Sequence, residues 1–201
     1  MSLKLWHCAG SRSVRPLWTM EEMGLDYELE VMQFPPRFLH PGYAEINPIG
    51  TVPYFVDDKG GPDNIIQMTE SAGISQYLVE RYGPSTLAVE PSEVGYGGYL
   101  NWLHRSDATL TFPQTLVLRY TLLEPEATRL PKVAEDYTKW FYSRLRSVDI
   151  ATADNEFLVA NRFTIADITV GYALYLADTL GLAEGFKPNT TPLTLFEAKS
   201  R

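Results

Sequence analysis

Residues 51–83, TVPYFVDDKGGPDNIIQMTESAGISQYLVERYG, predict two short strands followed by a helix. The apolar segments TVPYFVDD and IIQMTE are joined by Gly-rich turn residues, which is typical of a β-hairpin. The last segment places Ile74, Tyr77 and Leu78 on one face and ends at Gly83, which predicts an amphipathic helix. This strand-strand-helix order completes a small layered α/β domain.

The residues before this stretch supply the other half of that domain. They alternate as a strand, then show helical spacing, then alternate again, and the proline-rich segment QFPPRFLHPGY that follows predicts a loop. The order through residue 83 is therefore β-α-β-loop-β-β-α, with four strands. The predicted elements are a strand LKLWHC at 3–8, a helix SVRPLWTMEEMG at 13–24 and a strand YELEVM at 27–32.

The pattern changes after the second helix. Residues 84–91 contain prolines and little periodicity, which predicts a linker. Residues 92–201 predict an all-helical domain, in which Pro113 kinks a long helix or helix pair and FTIADITVGYALYLADTLGL forms a helix buried on most sides. We therefore expect a mixed α/β domain at 1–83 and an all-α domain at 92–201.

Composition excludes several classes of function. The 201 residues include 17 Lys and Arg against 25 Asp and Glu, and a net charge of -8 argues against a nucleic-acid partner, since phosphate binding needs a basic face. No apolar run is long enough for a transmembrane helix, and the N-terminus lacks a secretory signal, so we expect no membrane partner. The single cysteine, Cys8, fits a reducing cytoplasm, and three scattered histidines predict no metal site.

Pro53 lies inside a predicted strand, where it removes a hydrogen-bond donor from the ladder. Two interpretations remain open. The strand begins late at the edge of the sheet, or the Val52–Pro53 peptide bond is cis. A cis bond turns the chain sharply and leaves the N–H and C=O of Val52 for the backbone of a ligand.

Two further segments combine polar residues with the start of a helix. In QMTES, Glu70 and Ser71 are either a plain N-cap or a site in which the helix N-terminus holds a carboxylate and the acid holds an ammonium group. A ligand with an α-amino acid end satisfies both requirements. In CAGSRSVRP, residues 8–16, two serines and a cysteine lie close in sequence to two arginines, which indicates either a helix cap or a catalytic centre.

The segment RFTIADITVGY carries a structural signal. Thr164 and Asp167 have the spacing of a capping box with an acidic third residue. We predict no catalytic role for this pair, and its loss should destabilise the fold by about 1 kcal/mol or more.

Four segments in this order resemble the cytosolic glutathione S-transferases: LWHCAGSRSVRPLWTMEEMGLDYE, NPIGTVP, TESAGISQYLVERYG and FTIADITVGY. Together they span most of residues 3–182. The resemblance implies a thioredoxin-like N-terminal domain that binds glutathione as co-substrate and a helical C-terminal domain that supplies most of the pocket for a hydrophobic electrophile. It also implies a cytoplasmic homodimer that uses no metal.

The resemblance implies a role for each matching position. Val52, before the cis proline, would pair its backbone with the cysteinyl part of glutathione, and Glu70 and Ser71 would bind the γ-glutamyl end. Residues near the start of the hairpin would face the glycyl carboxylate, although Thr51 stands where many members carry a lysine. The implied glutathione-binding residues are Arg12, Arg37, His40, Thr51, Val52, Pro53, Glu70 and Ser71.

Members of this family ionise the glutathione thiol with a hydroxyl group or a helix N-terminus, because only the thiolate is a strong nucleophile. The tyrosine of some classes is absent near Trp6, and Arg12 stands where cysteine-type members carry their cysteine. Ser11 best matches the serine-type bacterial members and is the predicted catalytic residue. Ser13 is the second candidate, and a role as a helix cap is equally expected for it.

The resemblance also implies a co-substrate pocket and alternative activities. The pocket candidates in the helical domain fall at i, i+4, i+7 and i+8 on one predicted helix face. Glutathione-dependent peroxide reduction, ether cleavage, thiol transfer through a mixed disulfide at Cys8, and a non-catalytic glutathione-binding role remain alternatives to transfer onto an electrophile. The pocket candidates are Trp6, His104, Ala108, Thr111 and Phe112.

Overall fold

The computed structural model of the chain describes residues 2–186. They fall into two compact units, one ending at Ala88 and the other beginning at Val89. Residues 187–201, the last part of the predicted all-helical domain, lie outside the described residues. No helix within residues 2–186 is both long and apolar enough to cross a membrane.

The first unit is built on a four-stranded sheet with strand order β2-β1-β3-β4. Strand β1 is parallel to β2, and β3 is antiparallel to both β1 and β4. The order of strands and long helices agrees with the prediction from the sequence. The strands are β1 Leu3–Cys8, β2 Glu28–Met32, β3 Tyr54–Asp57 and β4 Ile66–Met68, and the helices are α1 Val14–Met23, α2 Pro36–Leu39, α3 Tyr43–Ile46 and α4 Ser71–Arg81.

The predicted loop at 33–43 differs from the structure, which has the single-turn helix α2 inside it and α3 beginning at its last residue. A helix of four residues is too short to show an apolar period, so the sequence pattern could not reveal either turn. Pro36 is the first residue of α2, a position where its missing N–H has no helical partner to lose. The side chain of Tyr43, at the start of α3, is fully buried.

The sheet separates two apolar clusters because alternate residues of each strand point to opposite faces. On one face, Leu3 and Leu5 of β1 pack with residues of α1 and α4 such as Met20 and Leu78. On the other face, Trp6 and Cys8 pack with neighbouring residues. His7 has the parity of Leu5 and therefore points toward the α1 side. The second cluster contains Trp6, Cys8, Met32, Tyr43 and Tyr54.

Asp57 ends β3 in a buried position with three hydrogen-bond donors around it. The hydroxyl of Tyr77 donates to its Oδ2 at 2.6 Å, Tyr82 donates to the same oxygen, and the Lys59 N–H donates to Oδ1 at 2.9 Å. Burial raises the pKa of this carboxyl group, but the hydrogen bonds outweigh burial and leave the pKa below its usual value. Burial, together with the hydrogen bond to Asp57, raises the pKa of Tyr77 to about 12.

Replacing this carboxylate should destabilise the first unit. We expect Asp57→Asn to lower the free energy of unfolding by about 1–3 kcal/mol, because the hydroxyls of Tyr77 and Tyr82 both lose their charged acceptor. Since the folded pKa is depressed, the stabilisation is present above the unfolded pKa and is lost as the pH falls through the folded pKa. In urea unfolding at several acidic pH values, the free energy of unfolding should depend less on pH for Asp57→Asn than for the exposed control Asp63→Asn. Equal stabilities would contradict this account.

The regular elements of the second unit, within its described residues, are all helical. A continuous helical run from Tyr96 to Leu123 alternates between α and π geometry, and its π segment Ser106–Thr111 comes just before Pro113. Proline has no N–H for the carbonyl four residues earlier, so the regular α ladder cannot continue at this point. The helices are α5 Tyr96–Arg105, α6 Phe112–Leu118, α7 Pro131–Ala151 and α8 Ile165–Thr179, with a second π segment at Arg119–Leu123.

Helix α8 forms the core of this unit and is buried on most sides, as its apolar sequence predicts. The predicted capping box at its start is present. The side chain of Asp167 accepts from the Thr164 N–H at 2.8 Å, and the Thr164 hydroxyl accepts from the Ala166 N–H at 3.2 Å. Asp167 also accepts from the Leu158 N–H at 2.9 Å, so it ties the preceding loop to the helix.

Candidate functional site

The sheet topology brings the three polar segments of the first unit to one place. Because β3 runs antiparallel to both β1 and β4, the end of β1, the start of β3 and the end of β4 lie at the same end of the sheet. The loop 9–13 leaves β1 there, Val52–Pro53 enters β3 there, and Glu70–Ser71 follows β4 there. A single ligand can therefore contact all three segments.

The Val52–Pro53 peptide bond is cis, which confirms that interpretation of the sequence. The backbone beside it is held by two side chains that the sequence analysis missed. The hydroxyl of Tyr43 and the amide of Asn47 both donate to the Thr51 carbonyl, at 2.7 and 2.8 Å. These side chains are buried and lie four residues apart, a spacing typical of one helix face, but α3 is too short to be recognised. They fix the backbone that leads into Val52.

Ser71 is the first residue of α4 rather than its cap, and its side chain is buried. Glu70 occupies the cap position, is exposed, and makes no side-chain capping bond. The Ser71 hydroxyl accepts from Nη1 of Arg15 at 2.9 Å, and the Arg15 side chain is fully buried. One turn further along both helices, Thr19 donates to Ser75 at 2.9 Å. A guanidinium charge thus lies behind the N-terminus of α4, where it adds to the helix dipole in favouring an anion.

Ser13 lies at the start of α1 without capping it. It occupies the cap position, but its side chain makes no capping bond to the helix. Its buried hydroxyl instead lies 2.6 Å from Oγ of Ser11 and 2.8 Å from Nδ1 of His7. The partly buried Ser11 hydroxyl also accepts from the Ser13 N–H at 3.3 Å. The structure therefore joins the two candidate serines into one hydrogen-bonded pair.

Cys8 is fully buried at the end of β1 and belongs to the core of the sheet. Burial raises the pKa of its thiol to about 11, so almost none of it is thiolate at neutral pH. This environment agrees with a packing role and gives no support to thiol transfer through Cys8.

Cys8 should accordingly be inert toward thiol reagents. We expect the native protein to react with a thiol-specific reagent at least tenfold more slowly than the unfolded protein, because the sulfur is neither exposed nor ionised. We also expect Cys8→Ala to keep glutathione-dependent activity within about threefold of the original, once the fraction of folded protein is matched. Loss of activity in a correctly folded Cys8→Ala variant would revive the thiol-transfer alternative.

The other predicted glutathione contacts lie around the same segments. Arg12 is half-buried in the loop between the two serines. The exposed Arg37 of α2 donates to the Ile49 carbonyl, and its guanidinium packs so closely on Gly50 that a Cβ there would lie 2.7 Å from Nε. Gly50 also has a φ of +67°, which a side chain would strain. His40 is half-buried, with its ring edge-on to that of Tyr43.

The pocket candidates fall in different environments. Trp6 of the first unit is 9% exposed and packs against Tyr54 with ring centroids 5.1 Å apart. In the second unit Thr111 is buried and donates to the Ser106 carbonyl at 2.7 Å. The π segment changes the angular spacing of the helix, so Thr111 departs from the expected common face. The remaining candidates, His104, Ala108 and Phe112, are exposed.

Residues 1–80 match the family model described as glutathione S-transferase, N-terminal domain. The first unit is therefore similar to glutathione S-transferase N-terminal domains. Within residues 2–186, no group of three or more His, Cys, Asp or Glu side chains is placed to hold a metal ion.

Whole-chain comparisons extend the likeness beyond this domain. Glutathione S-transferase 3 of Schizosaccharomyces pombe is 27% identical over 186 residues, which cover 86% of this chain and 73% of that protein. The nitrogen regulation fragment of the yeast prion protein Ure2p matches with a TM-score of 0.81 at 19% identity, covering 98% of this chain and 92% of the fragment. The chain is therefore similar to a glutathione S-transferase along most of its length.

A third protein was crystallized together with a glutathione conjugate. Ure2p5 of Phanerochaete chrysosporium, cocrystallized with 1-(S-glutathionyl)-2,4-dinitrobenzene, matches with a TM-score of 0.76 at 20% identity and covers 98% of this chain and 87% of its own. The solved structures show the fold: a thioredoxin-like α/β domain followed by a helical domain, as the sequence predicts.

Proposed function

We propose that the protein is a glutathione transferase that binds glutathione at the end of the sheet, ionises its thiol and adds the thiolate to a hydrophobic electrophile. The observation that carries the proposal is the placement of the Ser11 hydroxyl at the same end of the sheet as the cis Val52–Pro53 bond and Ser71. A thiol, a peptide backbone and an α-amino acid end need these three kinds of partner. The bound conjugate in Ure2p5 supports the reaction type.

The γ-glutamyl end of glutathione is assigned to the start of α4. Its α-carboxylate would accept from the N–H groups and the Ser71 hydroxyl, with the Arg15 charge behind them. Its ammonium group would pair with the exposed Glu70 carboxylate. The Ser71 hydroxyl accepts from Arg15, so its own proton can point toward the ligand.

The rest of the tripeptide is assigned to the segment before β3 and to α2. The cysteinyl backbone would pair with the N–H and C=O of Val52, which the clamp on the Thr51 carbonyl holds in place. The glycyl carboxylate would lie toward Arg37 and His40, and Arg12 would add positive potential near the thiol.

Ser11 is assigned the chemical role. Its hydroxyl would donate to the sulfur, and a hydrogen bond to a charged group is worth about 1.5–3 kcal/mol, or one to two pKa units. With 1-chloro-2,4-dinitrobenzene, the thiol proton leaves to solvent and the thiolate forms a C–S bond at the carbon that carries chlorine. The C–Cl bond then breaks, and chloride leaves with its electron pair.

The ammonium site provides the binding test. We expect Glu70→Gln to weaken glutathione binding about 10-fold, because the ligand's ammonium group loses a charged partner. Titration calorimetry measures this directly, and Glu80→Gln, which makes the same charge change on the same helix, should bind as the original protein does. Equal affinity of all three proteins would remove Glu70 from the site, and no binding by the original protein would end the proposal.

A second candidate is a regulatory glutathione-binding protein that leaves the thiol protonated. One contact favours it: the Ser11 hydroxyl lies 2.6 Å from Oγ of Ser13, and if Ser11 donates its proton there, none remains for sulfur. Peroxide reduction and ether cleavage, by contrast, would use the same activated thiolate as conjugation. Thiolate formation in the bound state therefore separates the regulatory candidate from all the enzymatic ones.

A homodimer in the cytoplasm is also proposed. The first unit exposes six large apolar side chains between residues 31 and 49, and exposed apolar surface favours a protein interface. Sedimentation velocity should give the mass of a dimer, and a monomer at all concentrations would contradict the proposed homodimer. These exposed apolar residues are Val31, Phe34, Phe38, Leu39, Ile46 and Ile49.

A further inference from the structure

The hydroxyl of Ser13 is surrounded by more partners than it can donate to. It lies 2.6 Å from Oγ of Ser11, 2.8 Å from Nδ1 of His7 and 3.3 Å from the N–H of Cys8. Its contact with the Cys8 carbonyl, at 3.4 Å, is long for a hydroxyl donor. A serine hydroxyl has one proton and two lone pairs. The Cys8 N–H fills one lone pair, so one proton and one lone pair remain for Ser11 and His7.

With one proton and one lone pair of Ser13 left for the short contacts to Ser11 and His7, only two arrangements of the hydrogen-bond protons are possible. If Nδ1 of His7 accepts the Ser13 proton, Ser11 must donate to Ser13, and its proton is used inside the loop. If Nδ1 of His7 carries a proton and donates it, Ser13 donates to Ser11. The two lone pairs of Ser11 are then filled by the O–H and N–H of Ser13, and its own proton is free to point outward.

We infer that His7 is a positioning residue: it donates from Nδ1 to Ser13, which donates to Ser11, so that the Ser11 proton is directed at the sulfur of glutathione. The inference rests on the proposed function, because it assigns Ser11 as the donor to a bound thiolate. It adds a residue that touches neither glutathione nor the electrophile. His7 acts only through the direction in which the two serine hydroxyls donate.

The surroundings of His7 suit this role. The side chain is 8% exposed and lies on the α1 face of β1, directly beneath the start of α1. Burial lowers the pKa of His7, so the ring is neutral at neutral pH and carries its proton on a single nitrogen. The choice between Nδ1 and Nε2 therefore sets the direction of the whole chain of hydroxyl groups.

Nitrogen NMR of the ring tests the inference directly. In the glutathione complex at neutral pH, His7 should be in the Nδ1–H tautomer, with His7→Asn used to assign its signals among those of the three histidines. If the bound thiol is ionised while His7 carries its proton on Nε2, the role of His7 is overturned and the proposed function stands. If the bound thiol is not ionised, both fail.

Variants supply a second test that does not depend on the tautomer. Ser13→Ala should reduce the ionised fraction of the bound thiol about threefold to tenfold, because Ser11 loses the donor that orients it, and Ser13→Thr should restore it. A purely structural Ser13 would instead change the free energy of unfolding and leave the thiol pKa of the folded complex unmoved. That result would overturn the inference.

A variant that reverses the direction of the hydrogen bonds from His7 through Ser13 to Ser11 gives a third test. His7→Asp places an acceptor opposite Ser13 and should raise the pKa of the bound thiol. The new negative charge also raises that pKa by itself, so the same change is measured in the Ser11→Ala background, where only the charge effect remains. The inference requires a larger shift with Ser11 present than without it, and equal shifts would contradict it. If His7→Asp does not fold, the comparison of Ser13→Ala with Ser13→Thr tests the inference in its place.

Discussion

Ser11→Ala is expected to lower kcat/KM for conjugation of glutathione with 1-chloro-2,4-dinitrobenzene by about 10- to 100-fold. The variant removes the donor to sulfur, worth about 1.5–3 kcal/mol, and each 1.36 kcal/mol corresponds to a factor of ten in thiolate at a given pH. Glutathione affinity should change little at a pH where the thiol is protonated, because the other contacts of the tripeptide remain. Steady-state kinetics over a range of pH measures both quantities.

Ser11→Thr is the matched control, since it keeps a hydroxyl on the same carbon. It should retain most of the activity if the added methyl group fits the partly buried position. At high pH the free thiol ionises without help, so the difference between Ser11→Ala and the original protein should shrink there. A pH-independent loss, or a value of kcat/KM within twofold of the original at neutral pH, would remove Ser11 from the mechanism.

The largest expected effect on stability comes from Asp167→Ala in the second unit. The carboxylate accepts from the N–H groups of Leu158 and Thr164 and from the Thr164 hydroxyl at 3.0 Å. Removing it leaves these donors unsatisfied in a buried place, at about 1–3 kcal/mol each and less than additively. We expect a loss of about 3–5 kcal/mol in the free energy of unfolding.

Denaturant unfolding followed by helical circular dichroism measures this loss. Asp178→Ala, at the exposed far end of the same helix, is the matched control and should change stability by less than about 1 kcal/mol. Thr164→Ala should fall between the two, because it loses the cap but leaves the Asp167 carboxylate in place. A loss below about 1 kcal/mol in Asp167→Ala would contradict this account, because it would show that the donors of Leu158 and Thr164 find other acceptors.

The parts of the molecule that depend on local pattern could be predicted from the sequence. The strands, the long helices and the capping box at Thr164 each arise from residues close together in the chain, and the structure has them where the patterns indicate. The cis bond at Val52–Pro53 was one of two interpretations, and the structure decides for it. The single-turn helices α2 and α3 were missed because four residues carry no period.

The contacts that shape the site depend on tertiary structure and leave little trace in the sequence. Arg15 meets Ser71 across 56 residues, and nothing in either segment indicates that a fully buried guanidinium lies behind the helix N-terminus. The position of Ser13 predicts a helix cap, yet its hydroxyl contacts Nδ1 of His7 and Oγ of Ser11 instead. The π segment likewise turned Thr111 away from the face that α-helical spacing predicts.

The central claim is that the bound thiol of glutathione is ionised by Ser11. The ultraviolet absorbance of the thiolate, measured on the glutathione complex as a function of pH, tests it without any electrophile. The account predicts an apparent pKa about one to two units below the value near 8.5 of a free thiol, returning toward that value in Ser11→Ala. A bound thiol that titrates as free glutathione does would contradict the account.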